Sequence, residues 1–438
     1  MKTNIILPIL LFCLFLSCKN DILPDTPDKG NLDLSHYVAI GNSLTAGYSD
    51  GSLYLEGQLN SYPALIAKQF IAVGGNSPFL QPLLLDEAGY PDVKSVLGYR
   101  PDCLTGLSVL GPVDFQGSVN PGNNTNISSQ GPFNNIGVPG IRLIDLIIPY
   151  YANFNPYSNR FMSATEKNGT FFNYALAQKP TFFTCWLGNN DVLGYASNGG
   201  TGNPSGIALG DITPVDTFKD VYNLFIEAMV SDGAKGVLIT IPDVTSTPAF
   251  STIPFNGLVI ERQSLADSLN IHHAASGLHF ELGNNTFVIA DANAPGGKRK
   301  IKNEELIILS ANDYIKCDGW GSFIPLPDNF VLDQEELKNI NFATSAFNNI
   351  IKENAQKHHL ALFDANAYMK TLSAGINWNG AKYDATFVSG GVFSLDAVHL
   401  TPKGYAIVAN QIINSINIHY GSKIESLDLN NYRGTLYP

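Results

Sequence analysis

Tyr37-Val38-Ala39-Ile40-Gly41-Asn42-Ser43-Leu44 is the stretch on which the architecture turns. Its first four residues are apolar without a polar break, the pattern of a short strand buried on both faces. Gly41 permits a tight turn, which leaves Ser43 at the carboxyl end of the strand, where α/β sheets collect their ligands. Taken alone, glycine and serine after a strand describe an ordinary turn equally well. The same motif of an apolar run and then small or polar residues recurs at 181–187, 236–241 and 360–363. Between and after these runs lie helical periodicities at 63–70, 141–150, 215–230, 332–358 and 402–416. Strands alternating with helices predict a three-layer α/β arrangement around a mostly parallel sheet. Two irregular stretches, about 75–134 and about 245–328, exceed the loops of a compact domain. They are expected to be long insertions with structure of their own. The tail 421–438 is polar with scattered apolar residues and should pack back or fray.

The chain has 438 residues, 45% of them hydrophobic and 15% charged, which is ample for a large core. With 26 Lys+Arg against 38 Asp+Glu and a formal charge of −12, it lacks the basic surplus that a nucleic-acid partner demands. No apolar window reaches the roughly 18–20 residues of a membrane-spanning helix. Met1-Lys2 and the apolar run 5–16 read instead as a secretory signal, ending in Phe15-Leu16-Ser17-Cys18. That ending resembles a bacterial lipobox, which would make 1–17 a signal peptide and Cys18 the lipid-carrying first mature residue. An unlipidated secretory signal is the plainer alternative. Residues 18–32, with Pro24, Pro27 and Gly30, form the expected tether to a membrane. Lys19-Asn20 after Cys18 lacks the Asp associated with inner-membrane retention, so the outer membrane is the expected location. Beyond the signal, Cys103, Cys185 and Cys317 allow at most one disulfide, and Cys185 reads as a small buried apolar residue. His272, His273 and His279 have no cysteine or H-E-x-x-H pattern beside them and read as a surface helix rather than a metal site.

Four segments carry possible chemistry. Ser43 is the first. Asp396-Ala397-Val398-His399 is the last, and Thr401-Pro402 after it suits the start of a helix. An Asp three residues before a His can fold back onto Nδ1, fixing the tautomer so that Nε2 can serve a serine hydroxyl as base. Asn135-Ile136-Gly137-Val138-Pro139-Gly140 precedes the periodicity at 141–150, which would put the Gly140 N–H at a helix's positive end. Gly188-Asn189-Asn190-Asp191 follows the run 181–187 and brings an amide side chain to a strand end. Acyl transfer needs such donors aimed at a developing oxyanion. Gly47-Tyr48-Ser49-Asp50-Gly51 also matches G-x-S-x-G, but neither a strand before it nor a helix after it is indicated, so Ser43 outranks Ser49.

In this order the four segments resemble the sequence blocks of the SGNH (GDSL-type) hydrolases, across about residues 36–418. The resemblance implies a flavodoxin-like α/β/α hydrolase domain over 33–420, interrupted by the two insertions. It implies ester hydrolysis with no cofactor and no metal. Carried onto this chain, it makes Ser43 the nucleophile, His399 the general base and Asp396 its orienting partner. The oxyanion hole becomes the Ser43 and Gly140 N–H groups with the Asn190 side chain, Gly137 being the fallback for Gly140. Asn42 stands where the family name places Asp, and Asp191 is expected to brace its loop. Acylated small molecules, lipids and glycans all remain open as substrates, since aromatics in the insertions (Phe79, Tyr90, Trp320 and others) suit a groove for acylated sugars, the cover of an acyl-chain pocket, or their own packing. The contrasting expectation is a catalytically silent surface-binding lipoprotein on the same fold.

Overall fold

The computed structural model describes residues 26–75 and 78–438. The stretch expected to be a signal peptide, 1–17, and Cys18 lie outside the described residues. Strand β1 (Tyr37–Gly41) is buried along its whole length and pairs in parallel on both sides. Its neighbours are β2 (Asn135–Gly137) and β3 (Phe182–Trp186), and β4 (Lys235–Ile239) and β5 (Ala361–Phe363) continue beyond β3. The sheet runs β5-β4-β3-β1-β2 with every pair parallel, the strand order of the flavodoxin-like fold. In that order the chain reverses its direction of travel between β1 and β3, which opens a crevice beyond their carboxyl ends.

Side chains alternate between the two faces of the sheet, as a strand's period of two requires. Val38, Ile40, Phe183, Cys185 and Leu238 join a core with α4 (Val215–Val230) and α5 (Gln334–Lys357). Tyr37, Ala39, Phe182, Trp186, Val237 and Ile239 join a second core with α2 (Tyr62–Ala72) and α7 (Pro402–Tyr420). Helices α1 (Ser43–Ala46), α3 (Asn190–Ser197) and α6 (Ala365–Ala374) complete the set that frames the crevice. Phe218 of α4 stacks on Phe347 of α5 with ring centroids 4.0 Å apart, welding that layer. Each fully buried Phe or Leu is worth about 1.5–3 kcal/mol, so the two cores dominate the stability of the sheet.

The periodicity at 141–150 does not become an α-helix. Only a short 3-10 turn, Ile144–Ile147, forms there. Asp145 bends its carboxylate back to the Arg142 backbone N–H (3.0 Å) and guanidinium (2.8 Å), and Pro149 follows immediately, so side chain and proline compete with continued helix. Conversely, Asn135-Ile136-Gly137, which is not among the apolar runs that announce strands in the sequence, forms the edge strand β2.

Residues 75–134 and 245–328 do contain structure of their own. The first carries an antiparallel hairpin, Ser95–Pro101 with Ser108–Asp114. The second builds small cores, one around Phe287, Ile289, Ile307 and Leu326, the other around Leu269, Phe280 and Val288. His273 is buried there with Nε2 2.8 Å from the Ser322 carbonyl, and His272 Nε2 lies 3.1 Å from that of Phe323. The two insertions are stapled at their tips by the Cys103–Cys317 disulfide. Arg100 reinforces it with a two-pronged contact to Asp313 (2.6 and 2.8 Å), and Lys316 pairs with Asp102. A disulfide closing so long a loop contributes about 2–4 kcal/mol. Cys103→Ser should therefore leave the sheet folded but expose the turn between the hairpin strands to protease. Limited proteolysis with mass mapping tests this, and a cleavage pattern identical to the parent's would refute it. The tail packs back: Ile424, Leu427 and Leu429 are buried and Arg433 pairs with Glu56.

Candidate active site

Gly41 ends β1 because nothing larger fits. A Cβ there would lie 2.1 Å from Thr45 Oγ1 and 2.7 Å from the Trp186 carbonyl oxygen. That close approach lets α1 begin at once, with Asn42 as its cap accepting from the Leu44 N–H (3.1 Å). Ser43 thus occupies the first helical position, its N–H without a partner among the described residues and its side chain facing the crevice.

The opposite wall is the turn before α7. Thr401 caps that helix by accepting from the Gly404 N–H (3.1 Å), and Pro402 fills its first position. Just upstream, Ala397 takes a left-handed conformation (φ 64°), which costs a non-glycine residue about 1–2 kcal/mol. The strained turn folds Asp396 back so that its Oδ2 lies 2.9 Å from His399 Nδ1. Its Oδ1 accepts from the Val398 N–H (2.9 Å), the His399 N–H (2.8 Å) and the Ser394 hydroxyl (3.1 Å), while Oδ2 also accepts from the Gly51 N–H (2.9 Å). Burial by itself would raise the Asp396 pKa, but the neighbouring His399 and these hydrogen bonds outweigh it and hold the carboxyl well below the usual range. An ionised carboxylate only accepts, so Nδ1 carries the imidazole proton and Nε2 presents a lone pair. Nε2 lies 2.8 Å from Ser43 Oγ. Residues 356 apart in sequence therefore meet in a hydroxyl–imidazole–carboxylate relay.

Ser49, the competing serine, stands elsewhere. It is fully buried and its hydroxyl donates to the Leu400 carbonyl (2.9 Å). Its pentapeptide has a different task. The Asp50 N–H donates to Ser394 Oγ (2.9 Å), Asp50 Oδ1 accepts from the Leu395 N–H (3.0 Å), and the Gly51 N–H reaches Asp396. The Tyr48 ring lies against the His399 imidazole, with centroids 4.6 Å apart. Segment 47–51 is thus the cradle of the Asp396–His399 turn, a role that sequence reasoning missed. Its only signal was proximity to Ser43 in the chain.

Asn190 opens α3 and its Nδ2 donates to the Ile141 carbonyl (2.9 Å), leaving its second N–H free for the crevice. Asp191 is fully buried and braces the loop, accepting from the Leu143 N–H and the Thr213 hydroxyl (both 2.7 Å). Burial first, and then Asp145, push its pKa up to about 7 against these bonds and Arg142. The Gly140 N–H has no partner among the described residues, at a turn (φ 82°) that glycine adopts readily. Gly137 is unsuitable as a donor because its N–H is engaged by Asn135 Oδ1 (3.0 Å). Ser43, Asn190 and His399 line one open cleft, about 370 Å³ with its mouth included, together with Leu44, Leu193 and Val244; Gly140 stands outside that lining. Among the described residues, no group of three or more His, Cys, Asp or Glu side chains is placed to hold a metal ion, and no helix is long and apolar enough to cross a membrane.

The family model for GDSL-like lipase/acylhydrolase matches residues 37–412. Among solved structures, a lipase/acylhydrolase from Enterococcus faecalis is 14% identical, with 89% of this chain and 98% of that one covered and a TM-score of 0.33. An extracellular lipase from Streptomyces rimosus is 14% identical (87% and 98% covered, TM-score 0.33). An acetyl xylan esterase from Geobacillus stearothermophilus is 13% identical (87% and 93% covered, TM-score 0.32). A search of curated proteins finds no match.

Proposed function

We propose that this chain, which belongs to the GDSL-like lipase/acylhydrolase family and is an ester-bond hydrolase, works through an acyl-enzyme on Ser43 and acts outside the cytoplasm. The observation that carries the mechanism is the relay, Ser43 Oγ to His399 Nε2 at 2.8 Å and Nδ1 to Asp396 at 2.9 Å. As Oγ attacks the ester carbonyl, His399 takes its proton, and the carbonyl oxygen becomes an oxyanion. The N–H groups of Ser43 and Gly140 and the Asn190 amide are the donors for that charge. Collapse breaks the bond to the alcohol, which leaves with the proton from His399. Water then attacks the acyl-enzyme with His399 again as base, and the acid departs as Ser43 regains its proton. Asp396 never leaves its ionised state; it holds the imidazole in one tautomer.

Action outside the cytoplasm is supported by the signal-like 1–17 stretch, by the lipobox-like Cys18, and by a structural disulfide, which persists in oxidising compartments. Lipidation at Cys18 and anchoring at the outer membrane belong to the same proposal.

A fluorophosphonate probe should label purified protein once, on the peptide carrying Ser43, and an excess of ester present during the labelling should slow it. Labelling at another serine, or none at all, would refute the assignment. Asn190→Ala should reduce kcat about 10²–10³-fold on a nitrophenyl ester, the usual loss for one oxyanion donor. An effect confined to KM would assign Asn190 to substrate binding instead.

A further inference from the structure

The crevice does not stop at the relay. Leu44, Pro242, Thr247 and Val398 line the cleft that holds Ser43 and His399, and the same four residues line a second, adjoining cleft. That second cleft measures about 480 Å³ with its mouth and runs under α6, past Trp186, Phe363 and Met369. Its first wall residues, Leu44 and Val398, are the immediate chain neighbours of Ser43 and His399. The walls are apolar, and the few polar atoms on them are occupied. The Trp186 Nε1–H donates to the Thr240 carbonyl (3.1 Å), the Thr247 hydroxyl donates to the Val244 carbonyl (2.9 Å), and the hydroxyl of Tyr368, which also lines the cleft, is hydrogen-bonded with the Gln411 side chain. Nothing there offers the hydrogen bonds that a sugar or a headgroup would exchange for water.

Resting on the acyl-enzyme reading above, we infer that this second cleft seats the hydrocarbon chain of the acyl group, so that the substrates are esters of medium- or long-chain fatty acids rather than acetates. The acyl side is the one that fits. In the acyl-enzyme the acyl carbon is bonded to Ser43 Oγ, one residue from Leu44, and the chain must stay put through both halves of the reaction. The alcohol, by contrast, must take a proton from His399 Nε2 and leave for solvent before water enters. A dry wall suits the part that stays. Met369 is a fitting lining residue, since its unbranched thioether adapts to chains of different length.

Each methylene taken from water into such a cleft can raise kcat/KM by up to about fourfold, the equivalent of about 0.8 kcal/mol. The test is a pair of series on the mature protein: nitrophenyl esters from acetate to decanoate, and acetates of alcohols from ethyl to octyl. In the acyl series kcat/KM should rise at least tenfold from acetate to octanoate, and the alcohol series should stay flat. Met369→Trp and the milder Ala365→Leu narrow the cleft, and each should cut the octanoate-to-acetate ratio at least tenfold, fluorophosphonate labelling of Ser43 reporting that the variant is folded. A ratio near one in the parent, with acetate still cleaved and Ser43 still labelled, would overturn the acyl-chain assignment and leave the serine mechanism standing. A preference that followed alcohol length would overturn it as well. Absence of both ester cleavage and labelling would bring down the mechanism, and this inference with it.

Discussion

Alanine at Ser43 should lower kcat on a short-chain nitrophenyl ester by about 10⁴–10⁶-fold, with KM within a few-fold of the parent. The size follows from what is lost. Without Oγ there is nothing for His399 Nε2 to deprotonate and no atom to carry the acyl group, so only water attack assisted by the remaining donors is left. A factor of 10⁶ corresponds to about 8 kcal/mol of barrier. The fold should be indifferent, because the hydroxyl's hydrogen bond in the structure is the one to His399 and α1 is held by Asn42 and Gly41. Ser49→Ala is the matched comparison. Its hydroxyl is buried on the Leu400 carbonyl, so losing it should cost about 1 kcal/mol of stability and less than tenfold in kcat. Stopped-flow or steady-state assays with thermal melts on the two variants decide the matter. More than 1% residual activity in Ser43→Ala, or an equal collapse in Ser49→Ala, would remove Ser43 from the role proposed for it.

What the sequence disclosed was whatever is local. A buried strand announces itself by an unbroken apolar run, so β1, β3, β4 and β5 were legible, as were α4, α5 and α7 from their period and caps. Asp396 and His399 were legible for the same reason, three residues apart on one turn. β2 was not, because three residues with Asn and Gly at the ends have poor strand propensity and pair only because β1 supplies the partner edge. The stretch after Gly140 misled in the other direction: its apolar spacing is helical, but the Arg142–Asp145 contact and Pro149 settle the backbone otherwise. The cradle at 47–51 was hidden by distance. Its bonds to Ser394, Leu395, Asp396 and Leu400 span 344 to 351 residues, and no local pattern encodes such a meeting. The cysteine count bounded the disulfide at one, while the choice of Cys103 with Cys317 depended on where two insertions come to rest.

Asparagine at Asp396 should cost about 10⁴-fold in kcat while leaving the protein folded, a loss far larger than the removal of one hydrogen bond. The carboxylate accepts from five donors: the Gly51, Val398 and His399 N–H groups, the Ser394 hydroxyl and His399 Nδ1. An amide keeps one accepting oxygen. With that oxygen on the Val398 and His399 N–H groups, its NH₂ faces Nδ1, donor against donor, and the imidazole relieves the clash by moving its proton to Nε2. His399 then has no lone pair toward Ser43, which is how a change of tautomer alone can cost about 10⁴ in a serine relay. The pH dependence of folding carries a second signature. Because the folded carboxyl is held below its unfolded value of about 3.9, it contributes stability that is fully present above that value and lost as pH falls through the folded one. Chemical denaturation between pH 6 and 2 should therefore show a steeper acid decline in the parent than in Asp396→Asn. The fluorophosphonate labelling rate of Ser43 should fall in step with kcat, since both need the Nε2 lone pair. A variant that lost less than tenfold in kcat, or kept the parent's labelling rate, would show that the turn holds His399 in its working tautomer without the charge.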